Sequence, residues 1–162
     1  MDMDIQKEIE KLHNEKEYRP VVVLIIKKAD KFLIVQSAKG TNPWVFPQGG
    51  IDFGETPKVA LFREIEEEVS ILEEELNIID PLFYYTTKDA PITRKDKRGF
   101  SKGKAYFFSF CEYIGDDNLT LQEEELLNYH WGTIKKVLEL LQTARKEKRE
   151  MTITALKKLG IL

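Results

Sequence analysis

Residues 49–71 read GGIDFGETPKVALFREIEEEVSI and hold the pattern that decides the fold of this chain. Thr56 and Pro57 fit the N-cap and first-turn preferences of an α-helix, so we predict a helix from there to about residues 69–72. Just before it, residues 40–54 contain four glycines and two prolines. That density of glycine and proline predicts a loop whose backbone adopts a defined conformation and leads into the helix.

Three glutamates of this helix share one side. When successive residues turn by about 100°, Glu64, Glu67 and Glu68 fall within an arc of about 100°. The apolar face beside them is formed by Leu61, Phe62, Ile65 and Val69. Like charges at this spacing repel, and a hard divalent cation with oxygen ligands would compensate them. The helix alone leaves a simpler alternative open, an ordinary solvated acidic face.

The wider spacing favours the metal site. Gly49, five residues, Glu55, seven residues and then Arg63–Ile71, REIEEEVSI, resemble the Nudix box. One specified position differs, because Ser70 stands where the family has glycine, at a helix end where a positive φ is often required. This departure puts the geometry of the turn in question rather than the carboxylates. The resemblance to Nudix hydrolases implies an α/β/α sandwich with a mixed β-sheet between helices.

The resemblance also implies a chemistry, the attack of water on a phosphorus inside a diphosphate linkage. Its cofactor is expected to be Mg²⁺ or Mn²⁺, held by Glu64, Glu67, Glu68 and the backbone carbonyl of Gly49. Glu67 and Glu68 are candidate catalytic residues, and the identity of the general base stays open. Glu55 and Arg63 are similar to the pair that holds the loop against the helix in the family.

Two further segments are more specific. Residues 44–52, WVFPQGGID, and Tyr18–Pro20, YRP, resemble RNA pyrophosphohydrolases and dinucleoside polyphosphate hydrolases. The implied substrate is a 5′-triphosphate RNA end or a dinucleoside polyphosphate, with Arg19 near its phosphates. In these groups a glutamate six residues before a tryptophan reaches the metal site. Glu125, six residues before Trp131, is therefore a third catalytic candidate. The alternatives are a strand-end charge for Arg19 and a solvated acidic loop for Glu125.

Basic residues concentrate between positions 94 and 104 of a chain whose net charge is −3. A charge run is usually a solvated loop, but here the resemblance places it beside the substrate groove, where it would attract phosphates. The substrate-binding candidates are Arg19, Lys39, Arg94, Lys95, Arg98 and Lys104. Lys104 stands where the two related groups have glutamine, and this weakens the assignment to them.

The rest of the chain predicts an α/β domain. Residues 19–28, RPVVVLIIKK, are rich in β-branched residues and indicate a buried strand that forms a hairpin with residues 32–35. Further strands are predicted at 78–87, 105–113 and 126–131, with a basic loop from Lys88 to Lys104 between the first two. Further helices are predicted after Thr133 and over about 144–159. Residues 1–18 are expected to form an N-terminal helix or tail, and residues 19–162 a single Nudix domain.

Composition narrows the function classes. Hydrophobic residues make up 42% and charged residues 33% of the chain, which is typical of a globular protein and excludes a disordered one. Cys111 is the single cysteine, so no internal disulfide can form. The longest apolar run, Val21–Ile26, is too short for a membrane span, and the acidic N-terminus does not fit a signal peptide. We therefore expect a cytoplasmic protein with no membrane association and no obligate protein partner.

Two other functions stay open at this point. One is a house-cleaning hydrolase of damaged nucleoside triphosphates. The other is a Nudix domain that binds a ligand without catalysis, which the retention of all three box glutamates disfavours.

Overall fold

The computed structural model describes residues 4–90 and 99–162. The helices are α1 (Ile5–Glu15), α2 (Pro57–Val69), α3 (Ile134–Leu141) and α4 (Lys146–Lys158). The strands are β1 (Tyr18–Lys28), β2 (Lys31–Ser37), β3 (Trp44–Val45), β4 (Gln48–Gly50), β5 (Leu76–Asp89), β6 (Gly103–Tyr113) and β7 (Leu126–Gly132). A short 3₁₀ turn covers Glu73–Glu75.

The prediction of a loop over residues 40–54 was wrong in one respect, because β3 and β4 lie inside it. Both are too short to be recognised from sequence, and both exist because longer strands pair with them. The basic stretch predicted as a loop from Lys88 to Lys104 also contains the end of β5 and the start of β6. These two strands pair antiparallel out to Asp89 and Gly103.

The sheet is mixed and divides along one edge of β1. On one side, β1 pairs in parallel with β6 from Tyr18 to Lys27. On the other side, its first half pairs antiparallel with β4 and its last residues pair with β2. The remaining strands extend β2, which pairs with β3 and β7. This division leaves β4 beside the beginning of β1. Gly49 and Gly50 of β4 begin the glycine turn, residues 49–55, and they face opposite sides of the sheet.

Two helical layers cover the sheet, as the resemblance implied. Alternate residues of a strand point to opposite faces, and β1 follows this rule closely. Val22 and Leu24 belong to the core beneath α1 and α2. Val21 and Val23 belong to the core beneath α3 and α4. The helix α2 therefore lies on one face of the sheet and α4 on the other.

The N-terminal segment takes the helical form of the two that the sequence allowed. Asp4 accepts a capping hydrogen bond from the amide of Lys7 at 3.2 Å. Ile9 and Leu12 are buried in the same core as α2. His13 Nε2 lies 2.9 Å from the carbonyl oxygen of Ile51, which ties α1 to the turn before α2. Within the described part of the chain, no helix combines the length and the apolar character needed to cross a bilayer.

Candidate active site

Two adjacent glycines of β4 make room for charged side chains on opposite faces. A β-carbon on Gly49 would overlap the carboxylate of Glu64, which reaches it from α2. A β-carbon on Gly50 would overlap the guanidinium of Arg19, which reaches it from β1. The turn therefore separates an acidic side, on the α2 face, from a basic side, on the α4 face.

An ion pair fixes the turn to α2. Arg63 donates to both carboxylate oxygens of Glu55, at 2.8 and 2.7 Å, and to the carbonyl oxygen of Gly50 at 2.9 Å. Glu55 also accepts a hydrogen bond from the amide of Asp52 at 2.8 Å. The side chain of Glu55 is only 16% exposed, so its charge is far better shielded from water than that of a surface pair. The Arg63 hydrogen bonds hold the pKa of Glu55 below its usual range.

The three glutamates predicted to bind metal lie together on the acidic side. Arg63 Nη1 donates to Glu64 at 2.8 Å and lies 3.6 Å from a carboxylate oxygen of Glu67. Burial raises the pKa of Glu64, against the effect of Arg63. Burial and then the charges of Glu64, Glu125 and Glu67 raise the pKa of Glu68 to about 8. This is the behaviour of carboxylates crowded into a partly dehydrated site.

Glu125 and Lys39 join this group from distant parts of the chain. Lys39 Nζ lies 3.1 Å from a carboxylate oxygen of Glu125. The backbone of Glu125 is held on both sides, since its amide donates to the carbonyl of Gln122 at 3.0 Å and its own carbonyl accepts from the amide of Ala38 at 2.9 Å. The charge of Glu125 raises the pKa of Glu68 and that of Lys39 lowers it, so both side chains lie near this carboxylate.

The donor set fits a hard divalent cation. Carboxylate oxygens are the ligands such ions prefer. Burial and neighbouring carboxylates raise the pKa of Glu64 and of Glu68, and a dication would offset this penalty on their ionised forms. In the described ranges no three acidic, histidine or cysteine side chains already stand in metal-binding geometry. In this structure Arg63 pairs with Glu64 and Lys39 pairs with Glu125.

The basic side contains two of the predicted substrate-binding residues. Arg19 and Lys104 are paired positions of the parallel strands β1 and β6. The structure adds Lys148 from α4, whose ammonium donates to the side chain of Gln48 and lies 5.2 Å from the ring centre of Tyr106. Gln48 is next to Gly49, so α4 reaches the glycine turn directly.

Sequence reasoning missed Lys148 and its neighbour Arg145. Burial and then the charges of Lys104 and Arg145 lower the pKa of Lys148 to about 7, so these three cations lie close together. A cavity of about 570 Å³ lies beside Arg145 and is lined by Lys88, Asp89, Ala90, Arg145 and Glu147. The segment around Lys148 reads as an ordinary charged helix, and no signal in its sequence separates this lysine from its solvated neighbours. The predicted contacts Arg94, Lys95 and Arg98 lie outside the described residues.

The comparison with protein families decides the identity of the fold. A family model described as NUDIX domain matches residues 17–154. The chain belongs to the Nudix family. It is similar to an RNA pyrophosphohydrolase of Campylobacter jejuni subsp. doylei, with 31% identity over 142 residues that cover 83% of this chain and 90% of that protein.

Solved structures share the Nudix fold. A C. elegans Ap4A hydrolase superposes with a TM-score of 0.69 at 21% identity, over 88% of this chain and 96% of the other. The E. coli dihydroneopterin triphosphate pyrophosphohydrolase has a TM-score of 0.67 at 20% identity, over 83% and 94%. This Nudix protein is a pyrophosphohydrolase enzyme, and enzymes of the family generally use divalent metal ions.

Proposed function

We propose that this Nudix hydrolase cleaves a diphosphate linkage at the 5′-triphosphate end of RNA. The observation that carries the proposal is the position of a cationic side directly across the glycine turn from the carboxylates. Gly49 contacts Glu64, and Gly50 contacts Arg19. A chain of phosphates laid over this turn meets metal-binding carboxylates at one end and cations at the other. The 31% identical relative, named an RNA pyrophosphohydrolase, supports the same substrate class.

In this proposal the acidic side carries the reaction. Glu64, Glu67, Glu68 and the carbonyl of Gly49 hold Mg²⁺ or Mn²⁺, which when bound neutralises diphosphate oxygens and acidifies water. The attacking water gives its proton to one of Glu67, Glu68 and Glu125. The new phosphorus–oxygen bond forms as the bridging bond breaks, and the leaving phosphate takes the electron pair. Glu55 and Arg63 keep the turn and α2 in register throughout.

The basic side binds the substrate. Arg19, Lys104, Arg145 and Lys148 are proposed to contact phosphates, where cations supply affinity without regard to base sequence. Lys39, which pairs with Glu125, stays a predicted substrate contact. Arg94, Lys95 and Arg98 stay predicted contacts to the RNA backbone beyond its first phosphates. A nucleotide substrate of this kind fits the cytoplasm, where we place the enzyme.

One observation favours a second candidate, a dinucleoside polyphosphate. The cavity beside Arg145, at about 570 Å³, is in the size range of small-molecule sites and would accept one nucleoside. In that case the second nucleoside takes the place of the RNA chain.

The test is a Mg²⁺-dependent assay that offers triphosphate RNA, diadenosine tetraphosphate and 8-oxo-dGTP side by side. We expect kcat/KM to be highest for triphosphate RNA. A lead of diadenosine tetraphosphate would select the second candidate. A lead of 8-oxo-dGTP would contradict both and favour a house-cleaning hydrolase. Turnover that persists after chelation of divalent ions would contradict the metal site itself.

A further inference from the structure

The one departure from the Nudix box makes a contact that glycine cannot make. Ser70 caps the C-terminus of α2 in the left-handed conformation, with φ 62° and ψ 30°. Its amide donates to the carbonyl of Glu66 at 3.0 Å, as a left-handed cap does. Its hydroxyl donates to the carbonyl oxygen of Thr120 at 3.0 Å. The backbone strain of a serine here is thus accompanied by a bond between segments 50 residues apart.

That bond belongs to a short series that leads to Glu125. Beyond Thr120, the amide of Gln122 donates to the carbonyl of Glu68 at 2.9 Å. The carbonyl of Gln122 then accepts from the amides of Glu125 and Leu126, both at 3.0 Å. The segment 120–126 is therefore tied to the last turn of α2, and Glu125 leaves it at the acidic side.

We propose that Ser70 is a positioning residue, whose hydroxyl fixes segment 120–126 against the end of α2 and so holds the Glu125 carboxylate at the metal site. The first half of the inference, that Ser70 fixes segment 120–126, does not depend on the proposed function. The second half, that this places Glu125 to bind the metal, rests on the proposed function. Glycine at this position would relax the backbone and release the segment. Relaxing the backbone would raise the stability of the fold, whereas releasing the segment would loosen residues 120–126. The two effects can therefore be measured separately.

Four variants of the full chain separate backbone strain from the hydroxyl bond. Ser70→Gly removes both, and Ser70→Ala keeps the strain without the donor. Ser70→Asn and Ser70→Asp form a matched pair, since both tolerate the left-handed conformation but only the amide of asparagine can donate to Thr120.

The first measurement is amide hydrogen exchange in the metal-free protein. We expect Gln122 and Glu125 to exchange about threefold to tenfold faster in Ser70→Gly, Ser70→Ala and Ser70→Asp, the range that one net hydrogen bond supplies. Ser70→Asn should stay near wild type. The melting temperature of Ser70→Gly should equal or exceed that of wild type, so faster exchange would not reflect global instability. Wild-type exchange at both amides in Ser70→Gly overturns the proposal.

The second measurement is Mn²⁺ affinity without substrate, followed by electron paramagnetic resonance. Ser70→Gly should bind Mn²⁺ about threefold to tenfold more weakly, and Ser70→Asn should restore the affinity. In a Glu125→Gln background the Ser70 substitutions should have no further effect, since residues that act as a unit are not additive. Additive losses of Mn²⁺ affinity would overturn the proposal that Ser70 acts on the metal site through Glu125. If Glu125→Gln alone leaves Mn²⁺ affinity unchanged, the proposed role of Glu125 fails, and the exchange data still decide the fixing of the segment.

Discussion

The two sides of the glycine turn differ in how the chain builds them. The acidic side comes mainly from α2, where helical periodicity alone brings Glu64, Glu67 and Glu68 together. The basic side is assembled from β1, β4, β6 and α4, and its cations meet only once the sheet and α4 have formed. The proposed metal ligands are therefore encoded locally, while the proposed substrate contacts depend on the tertiary fold.

Electrostatics make the two sides complementary. Burial, and then neighbouring like charges, raise the pKa of Glu68 to about 8 and lower the pKa of Lys148 to about 7, so each side disfavours its own charged form. A dication relieves the first and a phosphate chain relieves the second. A metal-bound polyphosphate would stabilise both at once.

The largest effect is expected on the acidic side. Glu67→Gln or Glu68→Gln should lower kcat at least about a hundredfold, since each removes a proposed metal ligand or proton acceptor. Both variants should stay folded, because they relieve like-charge repulsion on α2. Steady-state kinetics at saturating Mg²⁺ with a circular dichroism melt measure the two quantities. Glu66→Gln is the matched control, since Glu66 lies exposed on the same helix and should keep full activity. Near wild-type turnover in both variants would sink the metal-site proposal.

The sequence predicted the acidic side far better than the basic one, and the reason is physical. The helix α2 is predicted by Thr56, Pro57 and its apolar face, and the resemblance to the two hydrolase groups led to Glu125. By contrast, β4 is three residues long and exists because β1 pairs with it. No local pattern could announce it.

Contacts between residues far apart in the sequence could not be predicted either. Lys148 differs from other lysines of α4 only in what the fold places beside it, namely Gln48 and Tyr106. The role of Ser70 was inaccessible for the same reason. Its turn was questioned from the sequence, yet the partner of its hydroxyl, Thr120, is fixed by the tertiary fold.

The next effect concerns the Glu55–Arg63 pair, which fixes the turn to α2. Glu55→Gln should lower the free energy of unfolding by about 1–3 kcal/mol, because it weakens two charge-assisted hydrogen bonds from a partly buried arginine. Urea unfolding measures this. Glu150→Gln is the control, since it removes an exposed pair with Lys146 at 3.9 Å and should change stability by less than about 0.5 kcal/mol.

This pair also has a pH signature. The pKa of Glu55 is lowered in the folded protein, so its stabilisation is present above the usual glutamate range and is lost as the pH falls through the folded value. Wild type should therefore lose its advantage over Glu55→Gln in acid. An advantage that is equal at pH 7 and at pH 3 would contradict the charge-based account.

On the basic side we expect an effect on binding rather than on turnover. Lys148→Met should raise KM for triphosphate RNA about tenfold at pH 6 with little change in kcat, because a phosphate contact outside the box supplies uniform binding. Lys157→Met is the control, since Lys157 is exposed on the same helix. A fall in kcat with unchanged KM would move Lys148 from the substrate side to the reacting atoms.

The smallest effect is the pH dependence of that binding. The pKa of Lys148 is lowered to about 7, so the side chain is mostly charged at pH 6 and mostly neutral at pH 8. Phosphate binds the charged form better, and KM of wild type should therefore rise about threefold between pH 6 and pH 8. In Lys148→Met, only ionisation of the substrate's own phosphates should contribute to the pH dependence of KM, so its KM should vary less between pH 6 and pH 8. Parallel profiles in the two proteins would mean that Lys148 keeps one charge state across this range, and the crowding of cations on the basic side would then have no part in substrate binding.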